Sequence, residues 1–170
     1  MRFLAVSLFS IVALAVSGAA TAAPLSSTFT VRGFEYAFTS TVGSFAGSGF
    51  AQQDVAVWET RVVHAPLGSG ATVAITGGTF SMTTRSLASW ATDFVRGEYT
   101  GGTITVLDAG ANCTNQRYRV EGSLGNVTTS TTTGGTGSFE VILIHYRTSL
   151  FGTCITYSAT VGGSVSFSYA

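Results

Sequence analysis

Ile155-Thr156-Tyr157-Ser158-Ala159-Thr160-Val161-Gly162-Gly163-Ser164-Val165-Ser166-Phe167-Ser168-Tyr169 alternates apolar with small polar residues from end to end. Period-two alternation puts every odd side chain on one face of an extended chain, and the odd face is apolar except at Gly163. The pattern keeps its parity through Gly162-Gly163, which predicts one long strand bent at its glycines, as strands of closed or strongly curved sheets are.

Two other glycine pairs behave differently. Around Gly77-Gly78 the apolar residues change parity, with Val73 and Ile75 before the pair and Phe80 and Met82 after it. A two-residue turn at the glycines would set Ile75 opposite Phe80 and Val73 opposite Met82, which predicts a hairpin. Tyr99 and Ile104 flank Gly101-Gly102 in the same way and predict a second one. A fourth pair, Gly134-Gly135, ends the run Thr128-Thr129-Ser130-Thr131-Thr132-Thr133 and predicts an exposed loop tip. Outward from these points, strands are expected near 28–38, 50–64, 71–76, 79–84, 94–100, 103–108, 115–124, 138–148 and 153–169. One short helix is expected near 86–94, where Leu87, Trp90, Ala91 and Phe94 recur at helical spacing. Short connections favour an antiparallel meander. The expected fold is therefore an all-β single domain closing into a small β-barrel, with a β-sandwich as the alternative.

Composition agrees with an exported domain. Charged residues make up only 9% of the 170, and 8 Lys+Arg balance 8 Asp+Glu. All the basic residues are arginine, which suggests a bacterial chain from a GC-rich genome. With no basic cluster to meet phosphates, no nucleic-acid partner is expected. Met1-Arg2, the apolar run Phe3 to Val16 and the small residues to Ala20-Thr21-Ala22 have the form of a signal peptide cleaved after Ala22. Residues 23–170 are then the secreted domain, extracellular or periplasmic, with no transmembrane helix in the mature chain. Cys113 and Cys154 are the only cysteines, and in an oxidising compartment an even count predicts a disulfide. In a meander the strands near 115–124 and 153–169 run the same way with 138–148 between them, so both cysteines fall at their starting end and the bond should staple one rim.

Chemistry-bearing groups are sparse. Two cysteines far apart and the scattered His64 and His145 lack the local ligand spacing of zinc sites, so neither metal nor cofactor is expected. No G-x-S-x-G motif is present, and Asp54, Glu59, Glu98, Glu121 and Glu140 are spread over several strands, so no catalytic residue is assigned. His145 shares a strand face with Val141, Leu143 and Arg147, which would place it in a barrel mouth beside Arg147. Trp58, Glu98, His145 and Arg147 are the candidate ligand-binding residues. Asn112-Cys113-Thr114 and Asn126-Val127-Thr128 fit the glycan sequon, which matters only in a eukaryotic host.

Gly134-Gly135-Thr136-Gly137-Ser138-Phe139, with the shorter Ile75-Thr76-Gly77-Gly78-Thr79-Phe80, resembles the G-G-T-G-x-F turn of the dirigent and allene oxide cyclase barrels. The resemblance implies an eight-stranded barrel that holds apolar ligands. An Ala and a Gly usually follow the Phe in that family, whereas Glu140-Val141-Ile142-Leu143 follows here, and no site residue is carried over. The expected function is a non-catalytic binding or cell-surface protein, its partner a small apolar ligand or a cell-surface component. The alternatives are a ligand-converting barrel enzyme and a small outer-membrane β-barrel, the latter because Val161 to Tyr169 alternates as lipid-facing strands do.

Overall fold

The computed structural model describes residues 25–67 and 72–169. The signal peptide expected over 1–22 lies outside the described residues. Eight strands follow in chain order: β1 (Leu25–Phe38), β2 (Val42–Ala51), β3 (Asp54–His64), β4 (Thr72–Ser86), β5 (Thr92–Asp108), β6 (Gln116–Thr129), β7 (Gly135–Leu150) and β8 (Thr153–Tyr169). Each pairs antiparallel with the next, and β8 pairs back onto β1, so the meander closes into a barrel. The sandwich alternative is set aside by that closure.

Alternation decides which side chains fill the barrel. β3 sends Ala56, Trp58, Thr60, Val62 and His64 inward, and β7 sends Phe139, Val141, Leu143 and His145. Trp58, Phe80, Phe139, Tyr99 and Phe167 interlock at the centre, with ring centroids 5.6–6.5 Å apart. These edge-on and offset contacts are the ones aromatic quadrupoles favour. Two polar groups reach this depth and satisfy each other. The Thr60 hydroxyl donates to the Thr79 carbonyl (2.7 Å) and accepts from the Tyr99 hydroxyl (2.9 Å). Burial raises the Tyr99 phenol above its ordinary range, only partly offset by that Thr60 bond.

β8 is one strand through its glycines, as its alternation predicts, with Ala159, Val161, Val165 and Phe167 buried, but Tyr157 is an extra residue against β7, and it and Ile155 are exposed. Gly163 is where β8 crosses closest to β7: a Cβ there would overlap the Glu140 carbonyl oxygen and stand 2.7 Å from the Val141 Cα. The two predicted hairpins are absent. Gly77-Gly78 lies inside β4 and Gly101-Gly102 inside β5. Val63 faces Gly77 and His64 faces Ile75, so Thr76 is an extra residue; likewise Tyr99 faces Leu124 and Gly101 faces Ser123, leaving Thr100 extra. Each bulge flips the parity of its strand without reversing the chain. The segment expected as one strand at 50–64 is instead the end of β2 and all of β3, turned at Gln52-Gln53, and β2 itself begins earlier, at Val42.

The helix expected near 86–94 is also corrected. Residues 87–91 form the β4–β5 turn, closed by Ser86 N–H to the Ala91 carbonyl and Trp90 N–H to the Ser86 carbonyl, each 2.9 Å. Trp90 adopts φ 60°, which no α-helix accommodates, and lies under the Arg85 guanidinium at 4.7 Å. Leu87, Trp90 and Phe94 remain exposed, so the apolar stripe had no surface to dock on, and two turns of helix are not stable alone. The single helical element among the described residues is a 3-10 turn at Ala111–Cys113.

Candidate functional site

The interior changes character at one end, where β1, β3, β5 and β7 finish. Here inward positions on β1, β3, β6 and β7 carry Glu35, His64, Tyr118 and His145. Their placement follows from register. His145 on β7 faces Ala159 on β8, and Phe34 on β1 faces Thr160, so Glu35 comes next in the row beyond Ala159. Because Ala159 projects only a methyl group, Glu35 and His145 meet across it. The His145 Nε2–H donates to the Glu35 carboxylate at 2.6 Å, with the two side chains 9% and 3% exposed. Phe38 and Tyr118 flank the imidazole, their centroids 5.1 and 5.2 Å away.

His64 is held in a comparable way from its other nitrogen. Its Nδ1 lies 2.8 Å from the Ala65 carbonyl, an acceptor only, so Nδ1 carries the hydrogen. Burial lifts the Tyr118 phenol above its usual range; nearby Arg147 pulls it down and Glu35 pushes it up. Between these groups lies a cup of about 40 Å³ with otherwise apolar walls, among them Val42, Phe45, Leu67, Ile104 and Leu143. That volume holds a few water-sized atoms, far less than the roughly 300–1,000 Å³ of a site that engulfs a drug-sized molecule.

The same rim carries the disulfide. Cys113 and Cys154, with Cα atoms 5.5 Å apart, join the β5–β6 connection to the start of β8. Arg147 reinforces that connection: its Nη1 donates to the Gly110 carbonyl at 3.0 Å and its backbone N–H to the Asn115 side-chain oxygen at 3.2 Å. Beyond it the β7–β8 turn projects Phe151, 99% exposed at φ 50°.

The four candidate residues do not share one place. His145 lines the cup. Arg147 sits beside it, engaged with the disulfide-bonded connection. Trp58 lies deeper, 3% exposed, in the packed centre, its indole N–H donating to the Ser48 carbonyl at 3.0 Å. Glu98 is on the outer wall, accepting from the Asn126 amide at 3.4 Å. Glu35 and Tyr118 were not among the candidates. Glu35 has the odd parity of Phe29 and Val31 and Tyr118 the parity of Val120 and Leu124, so alternation alone would have turned both inward.

At the opposite end a wider hollow of about 230 Å³ is bordered by Asp54, Asp93, Thr84, Thr131 and Tyr169. Among the described residues no three His, Cys, Asp or Glu side chains group as metal ligands. No protein-family model, curated protein or solved structure matches this chain, so the site is interpreted from its own geometry alone.

Proposed function

We propose that the protein is an exported, non-catalytic binding domain that takes the end of a small, largely apolar molecule in the cup at its disulfide-bonded rim. The observation that carries this is the Glu35–His145 pair. Burying a hydrogen-bonded carboxylate and imidazole costs desolvation that a hydrophobic replacement would avoid, so such a pair inside a largely apolar mouth favours a role in recognition over one in stability. The packed aromatic centre supports a shallow site at the mouth over a ligand engulfed in the barrel. The disulfide supports export, since such bonds persist in oxidising compartments.

Neither alternative function has a comparable observation behind it. A bilayer-spanning barrel needs an apolar outer band. The outer wall here exposes Arg61, Arg96, Glu98, Arg119, Glu121 and Glu140 at mid-strand positions, and these charges interrupt its exposed apolar residues, such as Phe34, Val57 and Tyr157. No helix among the described residues is long and apolar enough to cross a membrane. A converting enzyme would need a nucleophile or second acid aimed at the cup, and its polar lining is confined to the two histidines, Glu35, Tyr118 and Thr39.

The test is titration of the folded protein with xenon, followed through methyl resonances. Saturable shifts of the Val42, Ile104 and Leu143 methyls, without shifts of Val165 or Met82, are expected. Absence of any saturable shift at the cup would overturn the proposal.

A further inference from the structure

The cup's two histidines have a defined hydrogen-bonding sense, while the Tyr118 and Thr39 hydroxyls that also line it can donate or accept. His145 spends its Nε2–H on Glu35, so in the neutral ring its Nδ1 is a bare acceptor. His64 spends its Nδ1–H on the Ala65 carbonyl, so its Nε2 is the bare one. Neither free nitrogen has a partner among the described residues. Yet among the described residues no fully enclosed side-chain nitrogen or oxygen lacks one, which places both atoms at the edge of open space. The space that both residues line is the cup, although each histidine as a whole is more than nine-tenths buried, at 5% and 7% exposure. Buried acceptors facing a small cavity strongly prefer a guest that donates to them, because a guest that cannot leaves them unpaired.

Resting on the cup proposed above as the binding site, we infer that it selects a hydrogen-bond-donating head, an alcohol or amine, carried on a short hydrocarbon tail. The head is limited to a few atoms by the 40 Å³ of space. The tail leaves along Phe38 and Leu67, which are 53% and 36% exposed at the rim. Against an anionic head stand the same two bare nitrogens and the Glu35 carboxylate behind His145, set against the Tyr118 and Thr39 hydroxyls as donors lining the cup.

The experiment uses the folded, oxidised protein at pH 8.5, above the range of an ordinary imidazole. Four probes of similar size are titrated while the methyl and histidine ring-nitrogen resonances are recorded: 1-butanol, n-butylamine, butyrate and methyl propyl ether. The ether is an isomer of butanol that cannot donate. The inference expects butanol and butylamine to bind at least ten-fold more tightly than ether or butyrate. It also expects the ring spectra to show hydrogen on Nδ1 of His64 and Nε2 of His145. Equal binding of ether and butanol, tighter binding of butyrate, or reversed tautomers would overturn the inference and leave the cup as a binding site. No saturable binding by any probe would overturn both.

Discussion

The two ends of this barrel are built from the same eight strands and close in opposite ways. At the end bordered by Asp93 and Thr129, side chains knit the backbone together. The Asp93 carboxylate accepts from the Phe94 and Ser130 N–H groups at 2.7 and 3.0 Å, and the Thr129 hydroxyl accepts from Thr131 and Thr132 at 3.1 and 3.0 Å. Those bonds satisfy turn backbone around the hollow that Asp54 and Tyr169 also border. At the other end the polar groups point inward, pair only partly, and are framed by a covalent bond. One end spends its polar side chains on its own turns around an open hollow, and the other holds buried acceptors against a small cup under an apolar rim. Polar side chains bonded to turn backbone have little left for a guest, whereas buried acceptors that face a cavity are available for recognition.

The strongest way to break the contrast is to cut the rim staple. Cys113→Ser with Cys154→Ser should cost about 3–4 kcal/mol by chain entropy for a loop of roughly 40 residues. Non-reducing mass spectrometry of the parent should first show the bond as a loss of about 2 Da, two hydrogens, against the reduced form. Next is Glu35→Ala. It strands the His145 Nε2–H inside the barrel and should cost about 3 kcal/mol, the upper end for a buried donor left without its acceptor. Urea unfolding measures it, and a cost under 1 kcal/mol would mean the pair is solvated.

The opposite end should respond less. Asp93→Ala removes an acceptor from two turn N–H groups that water can partly replace, so about 1 kcal/mol is expected. Acid should sharpen the same point. Burial raises the Asp93 carboxyl, but hydrogen bonds from Ser130 and Phe94 outweigh it and hold the value below the ordinary carboxylate range. A depressed folded value means that this carboxylate's contribution is complete above the unfolded value near about 3.9 and is lost as pH falls through the folded one. NMR titration of the Ser130 and Phe94 amides should therefore show the turn loosening only below that ordinary range. The smallest effect is expected at Gly101→Ala, where an added Cβ meets nothing within 4 Å, whereas Gly163→Val collides with the β7 backbone and should exceed the roughly 1 kcal/mol spread of strand propensity.

Much of the fold was legible because alternation is a local record of which face is buried. β8 could be read through its glycines since no residue is inserted there. β4 and β5 could not, because a two-residue hairpin and a one-residue bulge produce the same parity flip in sequence and differ only in whether the chain reverses. Thr76 and Thr100, the inserted residues, carry no mark of it. The stretch around Trp90 failed for a related reason: helical spacing over nine residues counts only when a surface waits to receive it. At the site, His145 was legible from parity. Its partner was not, since Glu35 reaches it only because closure brings β1 beside β8 and Ala159 leaves the gap between them.

A crystal structure of the protein pressurised with xenon compares the two regions and the packed centre in one measurement. The account predicts one xenon atom in the cup, in contact with Val42, Ile104 and Leu143, and none among Trp58, Phe80 and Phe139. Xenon at the barrel centre with the cup vacant would contradict it.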